Sequence, residues 1–363
     1  LDDILGPLYI EGELPYADDV LFVNDYGDSS DNTYTISRQN SGVIEVPDPN
    51  NPIQTIELPV NETTIQRTGA AVIKYQTVEK VSLNTGAGDD TVNLLSTHLE
   101  LDPLEGNNSV FVINGGDGDD EFYLDNNQSM EDIDIRVIVD GAGGSNSVFF
   151  DHSASTEANT LAFIGKTFAD LFSERTAEWL ASVSDLLGDP GLSNTDVFAS
   201  ASLGLVSDPS TQVMELDVNV RNAQLAVLLS DADDVFCLSG AYAMSLRVDG
   251  GGGNDTFNVS DDVVADQPIT LNGDDGDDVL FVDFSMKSPT GTNSLINFNG
   301  GNHDVDGDLF RVAGDGVSSG SYTPSSTVSR AGTVVINGFT FTFTGLEPLI
   351  VHGLAGFSVN MPD

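Results

Sequence analysis

A short glycine-and-aspartate pattern recurs along the chain and constrains its fold more than any other feature. In its fullest form, Asn114–Phe122, glycines are followed by paired carboxylates, and a large apolar residue stands two positions after the last aspartate. Glycine tolerates the left-handed backbone of tight turns, so the pattern predicts a turn that leads into a strand. Residues 85–92, 250–257 and 273–280 share this frame, and residues 17–21, 143–148, 231–236 and 306–310 are partial copies.

The turns return at short intervals, which indicates a solenoid. From Asp90 to Asp308, the residues that close successive turns are separated by 30, 26, 88, 21, 23 and 30 positions. A unit of 20 to 30 residues cannot bury its own apolar face, so such units must stack. We therefore predict an all-β, right-handed parallel β-helix. The apolar residues that follow the turns are predicted to form one inward column: Val92, Phe122, Val148, Phe236, Phe257, Leu280 and Phe310.

The interval of 88 residues interrupts this rhythm and contains a different periodicity. Apolar residues between Leu161 and Leu187 recur near helical spacing, and the Gly-Asp-Pro-Gly sequence at 188–191 ends the pattern. This predicts an amphipathic helix, continuous or broken, from about Thr156 to Leu187. The helix either covers a flank or an end of the β-helix or serves as a docking element for a partner.

A longer repeat relates the beginning and the end of the chain. The segment from Arg67 to Val81 resembles that from Arg330 to Leu349, and an Asn-Gly turn at Asn337 predicts a hairpin in the second copy. The predicted division is an N-terminal β module at 1–83, coils with acidic turns at 84–152, an insertion at 153–222, further coils at 223–310, and a C-terminal β module at 311–363 that resembles the first.

The charge of the chain restricts its partners. The chain has 58 acidic and 12 basic side chains, which gives it a formal charge of −46. Nucleic acid and anionic membranes are repelled by such a chain, whereas multivalent cations are attracted. A salt-adapted surface is the alternative explanation, but many of the acids lie in the repeated turns. The single cysteine, Cys237, excludes an internal disulfide, and no apolar run is long enough to span a bilayer.

The carboxylates of stacked turns require compensation. Equivalent residues of a parallel β-helix lie about 4.8 Å apart, where like charges repel. Calcium offers the best compensation, because it binds six to eight carboxylate and carbonyl oxygens. The alternative is that the Gly-Asp pairs are ordinary turn formers. The candidate calcium ligands are Asp18, Asp19, Asp89, Asp90, Asp117, Asp119, Asp120, Asp233, Asp234, Asn254, Asp255, Asp274, Asp275, Asp277, Asp278, Asp304, Asp306 and Asp308.

The sequence here resembles a known family. Residues 115–123 and 250–258 are similar to the haemolysin-type (RTX) calcium-binding nonapeptide. The resemblance implies calcium held by turn carbonyls and by aspartates at Asp120 and Asp255. By motif position it extends to Asp90 and Asp278, and through the partial copies to Asp19, Asp234 and Asp308. In that family the nonapeptides are consecutive, whereas here single motifs are separated, which implies a wider β-helix. The segment 343–349 also resembles parts of very large repetitive bacterial surface proteins.

These features favour a structural function over an enzymatic one. Parallel β-helices host pectin-degrading enzymes, so an enzyme acting on acidic polysaccharide is the alternative. However, the acids repeat evenly instead of forming one catalytic pair, and the four histidines lack zinc spacing. The chain begins at Leu1 rather than Met, so we expect a processed product or a piece of a longer protein. The predicted function is an extracellular, calcium-stabilised structural or adhesive module of a surface protein or filament. Its expected partners are copies of itself, end to end or side by side, or cell-surface glycans.

Overall fold

The computed structural model describes residues 1, 6–12, 19–48, 51–97, 109–124, 133, 135–156, 158–167, 186–187, 197–205, 214–285, 295–303 and 306–361. Within them the fold is all-β and mostly parallel, which is compatible with a solenoid. The strands are β1 (Leu8–Glu11), β2 (Val20–Asn24), β3 (Thr33–Asp48), β4 (Asn51–Arg67), β5 (Ile73–Gln76), β6 (Lys80–Asn84), β7 (Thr91–Leu94), β8 (Val110–Asn114), β9 (Glu121–Leu124), β10 (Arg136–Asp140), β11 (Ser147–Asp151), β12 (Asn159–Thr167), β13 (Val197–Leu205), β14 (Met214–Arg221), β15 (Gln224–Leu228), β16 (Val235–Tyr242), β17 (Leu246–Asp249), β18 (Thr256–Ser260), β19 (Val264–Ala265), β20 (Ile269–Asn272), β21 (Val279–Asp283), β22 (Leu295–Asn299), β23 (Asp308–Ala313), β24 (Ser319–Pro324), β25 (Gly332–Ile336), β26 (Phe339–Thr344), β27 (Leu346–His352) and β28 (Gly356–Val359).

The chain divides into two compact units. The first comprises Leu1–Val148, Arg175–Leu192 and Leu216–Ala223, and the second comprises Phe149–Glu174, Ser193–Glu215 and Gln224–Asp363. In each unit, the strands are divided between two sheets, and successive strands alternate between them except where neighbours in sequence pair antiparallel. The first unit has the strand orders β1-β5-β4-β3-β7-β9 and β2-β6-β8-β10-β14. The second has β15-β17-β20-β22-β26-β25-β24-β28 and β13-β12-β16-β18-β21-β23-β27.

The core follows from the two-residue period of the strands. In β18, Phe257 and Val259 are buried while their neighbours are half-buried, and the parallel register places Phe257 beside Leu280 of β21. All seven residues predicted to face inward are buried. The prediction of one column was wrong, however. Val92 pairs with Phe122 in the sheet that contains β7 and β9, whereas Phe236, Phe257, Leu280 and Phe310 are joined by consecutive pairings in a different sheet, which contains β16, β18, β21 and β23.

Three strands of the first unit are buried on both faces. At least four of the five residues in each of β6, β8 and β10 are buried, as expected where a parallel sheet is covered on both sides, and β8 (VFVIN) is a nearly continuous apolar run. Part of the cover comes from Leu186 and Leu187, which are buried. Their carbonyl oxygens accept hydrogen bonds from Ser82 Oγ at 2.9 Å and Asn114 Nδ2 at 2.8 Å.

The predicted helix from Thr156 to Leu187 was wrong over its first part. Residues Asn159–Thr167 form strand β12, which pairs in parallel with β16 and antiparallel with β13. The reason is tertiary: Leu161 and Phe163 alternate with less buried residues and extend an apolar sheet face, and this pairing overrides a weak helical period. Residues 168–185 lie outside the described part of the chain. Leu186 and Leu187 are helical and lie on a sheet flank, where a covering element was predicted.

Antiparallel meanders replace single strands at two places. Strands β3, β4 and β5 form one meander, and β24, β25 and β26 form another. Asn337 and Gly338 both have positive φ and join β25 to β26, so the predicted Asn-Gly hairpin is confirmed. The first meander is fixed by an ion pair: the Arg67 guanidinium lies 2.6 Å from Asp25 Oδ2 and 2.7 Å from Asp28 Oδ2.

Candidate functional site: two ladders of buried carboxylates

The closing aspartates of the first unit form a ladder of hydrogen bonds across successive turns. The Asn32 N–H donates to Asp90 Oδ1 at 2.8 Å, and the Asp90 N–H donates to Asp120 Oδ1 at 2.9 Å. The Asp120 N–H donates in turn to Asn146 Oδ1 at 2.8 Å. Each carboxylate therefore binds a backbone N–H of the preceding turn, where the chain leaves the β ladder and its donors need another acceptor.

The second unit contains a longer ladder of the same kind. The acceptor of the Asn159 N–H is Asp234 Oδ1 at 2.7 Å, and that of the Asp234 N–H is Asp255 Oδ1 at 2.8 Å. The Asp255 N–H donates to Asp278 Oδ1 at 2.8 Å, and the Asp278 N–H donates to Asp308 Oδ1 at 3.0 Å. All four aspartates are at most 1% exposed. We call the two sets the buried ladders.

The residues that directly precede the buried aspartates form a second, outer ladder, in which the hydrogen bonds run in the opposite direction between turns. The Asp119 N–H donates to Asp89 Oδ1 at 2.9 Å, so here the acceptor belongs to the earlier turn. In the second unit, the Asn254 N–H donates to Asp233 Oδ1 and the Asp277 N–H donates to Asn254 Oδ1. The steps from Asp90 to Asp120, from Asp234 to Asp255 and from Asp255 to Asp278 are thus each closed by two side chains, one facing back and one facing forward. This accounts for the pairing of acids in the motif.

An amide ladder stands at the strand end just before the turns. The first unit stacks Asn24, Asn84 and Asn114 in parallel register. In the second unit, Asn272 Nδ2 donates to Asp249 Oδ1 at 2.6 Å, and Thr344 Oγ1 donates to Asn299 Oδ1 at 2.9 Å. Sequence reasoning missed these residues, although the signal was present: three of the asparagines, Asn114, Asn272 and Asn299, directly precede the first glycine of a turn.

The turn glycines are required by close approach. A Cβ on Gly115 would lie 2.2 Å from Asp120 Oδ2, and one on Gly273 would lie 2.1 Å from Asp278 Oδ2. The buried carboxylate therefore packs directly against the backbone that starts its own turn. Gly118 has a φ of 137° and its Cβ position lies 2.1 Å from the Gly88 carbonyl oxygen of the preceding turn.

The second oxygen of most buried aspartates has no partner. Among the residues that the structure describes, five such Oδ2 atoms are buried without a hydrogen bond, in Asp90, Asp120, Asp255, Asp278 and Asp308. Asp234 differs, because its Oδ2 accepts hydrogen bonds from the Ser230 N–H at 2.9 Å and the Ser230 hydroxyl at 2.8 Å.

Asn146 shows which kind of chemical group is favoured at the position of the unpartnered oxygen. It follows Gly141 by five positions, as Asp120 follows Gly115, and its Nδ2 lies against Gly141 as Asp120 Oδ2 lies against Gly115. This Nδ2 donates to the carbonyl oxygens of Gly141 at 2.7 Å and Gly143 at 2.8 Å. Backbone oxygens thus converge on this place, which suits a hydrogen-bond donor or a cation and disfavours a bare carboxylate oxygen.

Burial makes these carboxyl groups resist ionisation. Desolvation raises the pKa of Asp255 to about 8, that of Asp278 to about 7 and that of Asp120 to about 6. Desolvation also raises the pKa of Asp90 and of Asp308. Neighbouring aspartates reinforce the pKa shifts of Asp120, Asp255 and Asp278, because a second negative charge nearby disfavours the charged form.

The remaining predicted ligands lie around the ladders. Asp117 is exposed in a turn, and Asp274 and Asp275 lie in the turn that precedes Asp278. Asn302 Nδ2 donates to Asp275 Oδ1 at 2.8 Å, and the Asp306 N–H donates to Asp277 Oδ2 at 3.0 Å. Asp19 stands apart from the first buried ladder and accepts a hydrogen bond from the Lys80 N–H on its carbonyl oxygen. Asp18 and Asp304 lie outside the described residues.

Side chains alone do not complete a metal site in the described part of the chain, where no three His, Cys, Asp or Glu residues are close enough to hold an ion. A calcium site here would need backbone carbonyl oxygens as well, which that ion accepts.

None of the described helical residues forms a helix long and apolar enough to cross a membrane. No protein-family model and no curated protein matches the chain.

Proposed function

We propose that this chain is an extracellular, calcium-stabilised structural or adhesive module of a surface protein or filament. The observation that carries the proposal is the set of five buried, unpartnered carboxylate oxygens in two ladders. Each unpartnered buried acceptor costs about 1–3 kcal/mol, and more when it is charged. At neutral pH, oxygens of this kind need a bound proton or a cation.

The donor set fits a hard cation. The buried ladders offer carboxylate oxygens, the turns offer backbone carbonyl oxygens, and the outer ladders add further carboxylates. Calcium binds oxygen ligands of these types in flexible geometries, and extracellular modules bind it at about 10⁻⁴–10⁻³ M. Asp90, Asp120, Asp255, Asp278 and Asp308 would hold the ions, which would neutralise charge and cross-link successive turns. The formal charge of −46 would concentrate cations around the chain.

The finer fold is part of this proposal. Strands that alternate between two parallel sheets fit a right-handed parallel β-helix, because parallel crossovers are right-handed in about 98% of cases. A stack in which the acids of the described turns recur from one turn to the next suits a spacer or an adhesive surface. Copies of the chain, or cell-surface glycans, are the partners proposed for it.

Thermal unfolding in calcium and in chelator tests the calcium part. At 100 times the dissociation constant, each site stabilises the fold by about 2.7 kcal/mol, so the midpoint should rise clearly with calcium. Asp278→Ala should reduce this rise, whereas Asp266→Ala, at an exposed aspartate outside the motifs, should leave it intact. An equal midpoint in calcium and chelator would refute calcium stabilisation. Turnover of acidic polysaccharide that is lost in Asp277→Asn but kept in Asp119→Asn would instead favour an enzyme.

A further inference from the structure

Two acceptors of the buried ladders differ from the others in what surrounds their outer atom, the side-chain oxygen or nitrogen that does not accept the N–H of the preceding turn. The last acceptor of the first ladder is Asn146, and the first acceptor of the second ladder is Asp234. Both are buried, at 2% and 1% exposed, and both outer atoms have hydrogen-bond partners. In Asp255 and Asp278 the outer atom has no partner among the described residues.

The outer atom of Asn146 is an amide nitrogen surrounded by backbone oxygens. Its Nδ2 donates to the carbonyl oxygens of Gly141 at 2.7 Å, Gly143 at 2.8 Å and Asn222 at 3.3 Å. A Cβ on Gly141 would lie 2.6 Å from this nitrogen and 2.4 Å from the Asn222 oxygen. Carbonyl oxygens are also ligands of calcium, so the nitrogen lies where a cation would find three of them. We call this position the amide site.

The turns that end in Asp255 and Asp278 have a similar backbone arrangement around an oxygen instead of a nitrogen. A Cβ on Gly250 would lie 2.4 Å from Asp255 Oδ2 and 2.5 Å from the carbonyl oxygen of Gly273, in the following turn. A Cβ on Gly273 would lie 2.1 Å from Asp278 Oδ2 and 2.5 Å from the carbonyl oxygen of Gly300. Each carboxylate oxygen therefore lies near a backbone oxygen and has no hydrogen-bond donor among the described residues. A buried oxygen in this arrangement needs a cation or a proton.

Asp234 receives its donors from the residue that begins its turn. Ser230 is fully buried, and its N–H and hydroxyl lie 2.9 Å and 2.8 Å from Asp234 Oδ2. The Ala232 N–H donates to Ser230 Oγ at 3.2 Å, which leaves the hydroxyl hydrogen for the carboxylate. The equivalent position, four residues before the buried aspartate, is glycine in the turns of Asp120 and Asp255. A serine there adds a hydroxyl donor that glycine cannot provide.

We propose that the Asn146 amide and the two Ser230 donors replace a cation in their turns. These two turns stay closed without calcium, whereas the turns of Asp255 and Asp278 need it. The physical reason is that N–H and O–H groups direct positive hydrogens at the buried oxygens, which satisfies these oxygens and repels a cation. The inference rests on the proposed function and specifies which turns depend on calcium and which do not.

Asn146→Asp tests the amide site directly. The substitution replaces the donor by an oxygen of nearly the same size and adds a negative charge among three carbonyl oxygens, a ligand set that suits calcium. Equilibrium dialysis of the full chain should show an additional bound calcium ion relative to wild type, and calcium should raise the unfolding midpoint further than in wild type. Asn337→Asp is the matched control, because it makes the same chemical change at an exposed hairpin residue outside the ladders, and it should leave the number of bound ions unchanged.

Asp278→Asn tests the converse. It brings an amide donor to a turn whose glycine lies five positions before the acceptor, as Gly141 lies before Asn146. The variant should fold without calcium and bind fewer ions than wild type. If Asn146→Asp is unfolded in chelator, circular dichroism should show that calcium restores its fold, because the added site is then occupied.

Equal numbers of bound ions in Asn146→Asp and wild type would overturn the inference, as would an Asn146→Asp chain that stays unfolded in calcium. A gain in Asn337→Asp equal to that in Asn146→Asp, or an Asp278→Asn chain that keeps every ion of the wild type, would overturn it as well. These results leave calcium binding by the wild type, and so the proposed function, intact. Wild type that binds no calcium would instead refute the calcium part of the proposed function, and the inference with it.

Discussion

Replacing one buried aspartate by asparagine is expected to stabilise the calcium-free protein. Asp255 Oδ1 accepts the Asp234 N–H at 2.8 Å, while its Oδ2 is buried without a partner. In Asp255→Asn, the amide oxygen can keep the first contact, and the amide nitrogen takes the place of the unpartnered oxygen. The same arrangement already exists at Asn146, whose Nδ2 donates to two backbone carbonyl oxygens.

The size of the expected gain in the free energy of unfolding follows from the polar groups that Asp255→Asn changes. Removing a buried acceptor without a partner recovers about 1–3 kcal/mol, and a new hydrogen bond adds about 1 kcal/mol. Part of this gain is offset by imperfect fit, so about 2 kcal/mol is expected. For a cooperative unit of about 150–250 residues, that raises the unfolding midpoint by roughly 4–8 °C.

The gain should depend on pH. The folded-state pKa of Asp255 is about 8, above the unfolded value near 3.8. Between these two values the folded state holds a proton that the unfolded state has released, so the stability of the wild-type protein falls as pH rises through this window. Asparagine does not titrate. The advantage of Asp255→Asn should therefore be largest above about pH 8 and small near pH 5, where a protonated Asp255 can donate like an amide.

Asp234 supplies a control within the same ladder. Its Oδ2 accepts two hydrogen bonds from Ser230, so an amide nitrogen there would face donors. Asp234→Asn should therefore lower the free energy of unfolding by about 1–3 kcal/mol. The unfolding midpoint should fall with it, under the same conditions in which Asp255→Asn raises the midpoint. Circular dichroism melts in chelator at about pH 5 and about pH 9 measure both. If Asp255→Asn lowers the midpoint at the higher pH as much as Asp234→Asn does, the reasoning about the unpartnered oxygen is refuted.

Further predictions concern the turns and the ion pairs. Wild-type protein in chelator should lose stability from about pH 5 to about pH 8, and saturating calcium should reverse that loss; a melting profile that improves with pH in chelator contradicts this. Gly273→Ala should destabilise by about 1–3 kcal/mol because its Cβ meets Asp278 Oδ2, whereas Gly27→Ala, with open space around it, should have no effect in denaturant titrations. Arg67→Met leaves buried Asp25 without its guanidinium and should cost about 3 kcal/mol, whereas Arg247→Met removes an exposed pair and should leave the midpoint unchanged. Equal effects of the two arginine variants would show that burial of the pair is unimportant.

Much of the architecture could be predicted from local patterns. Asp120 and Phe122 are two residues apart and both buried, as the two-residue period of a strand requires, and the same holds for Asp255 and Phe257. The Asn-Gly hairpin was equally predictable, because two consecutive residues with positive φ favour these two amino acids. The helix prediction failed at β12, because its apolar residues fit both a helical and an alternating pattern and only the neighbouring strand decides between them.

The sequence by itself determined that this chain stacks short β units through acidic glycine turns, because turn chemistry and alternation are local properties. Only the tertiary structure decided which acid of each pair is buried and whether its second oxygen finds a partner. Asp90 and Asp120 are 30 residues apart, and their hydrogen bond exists only in one register of β7 with β9, the strands that directly follow them. Asp234 and Asp255 have the same motif position, yet only Asp234 meets a serine. Register and neighbours, which a local pattern does not contain, set the desolvation and the hydrogen bonding of each carboxylate.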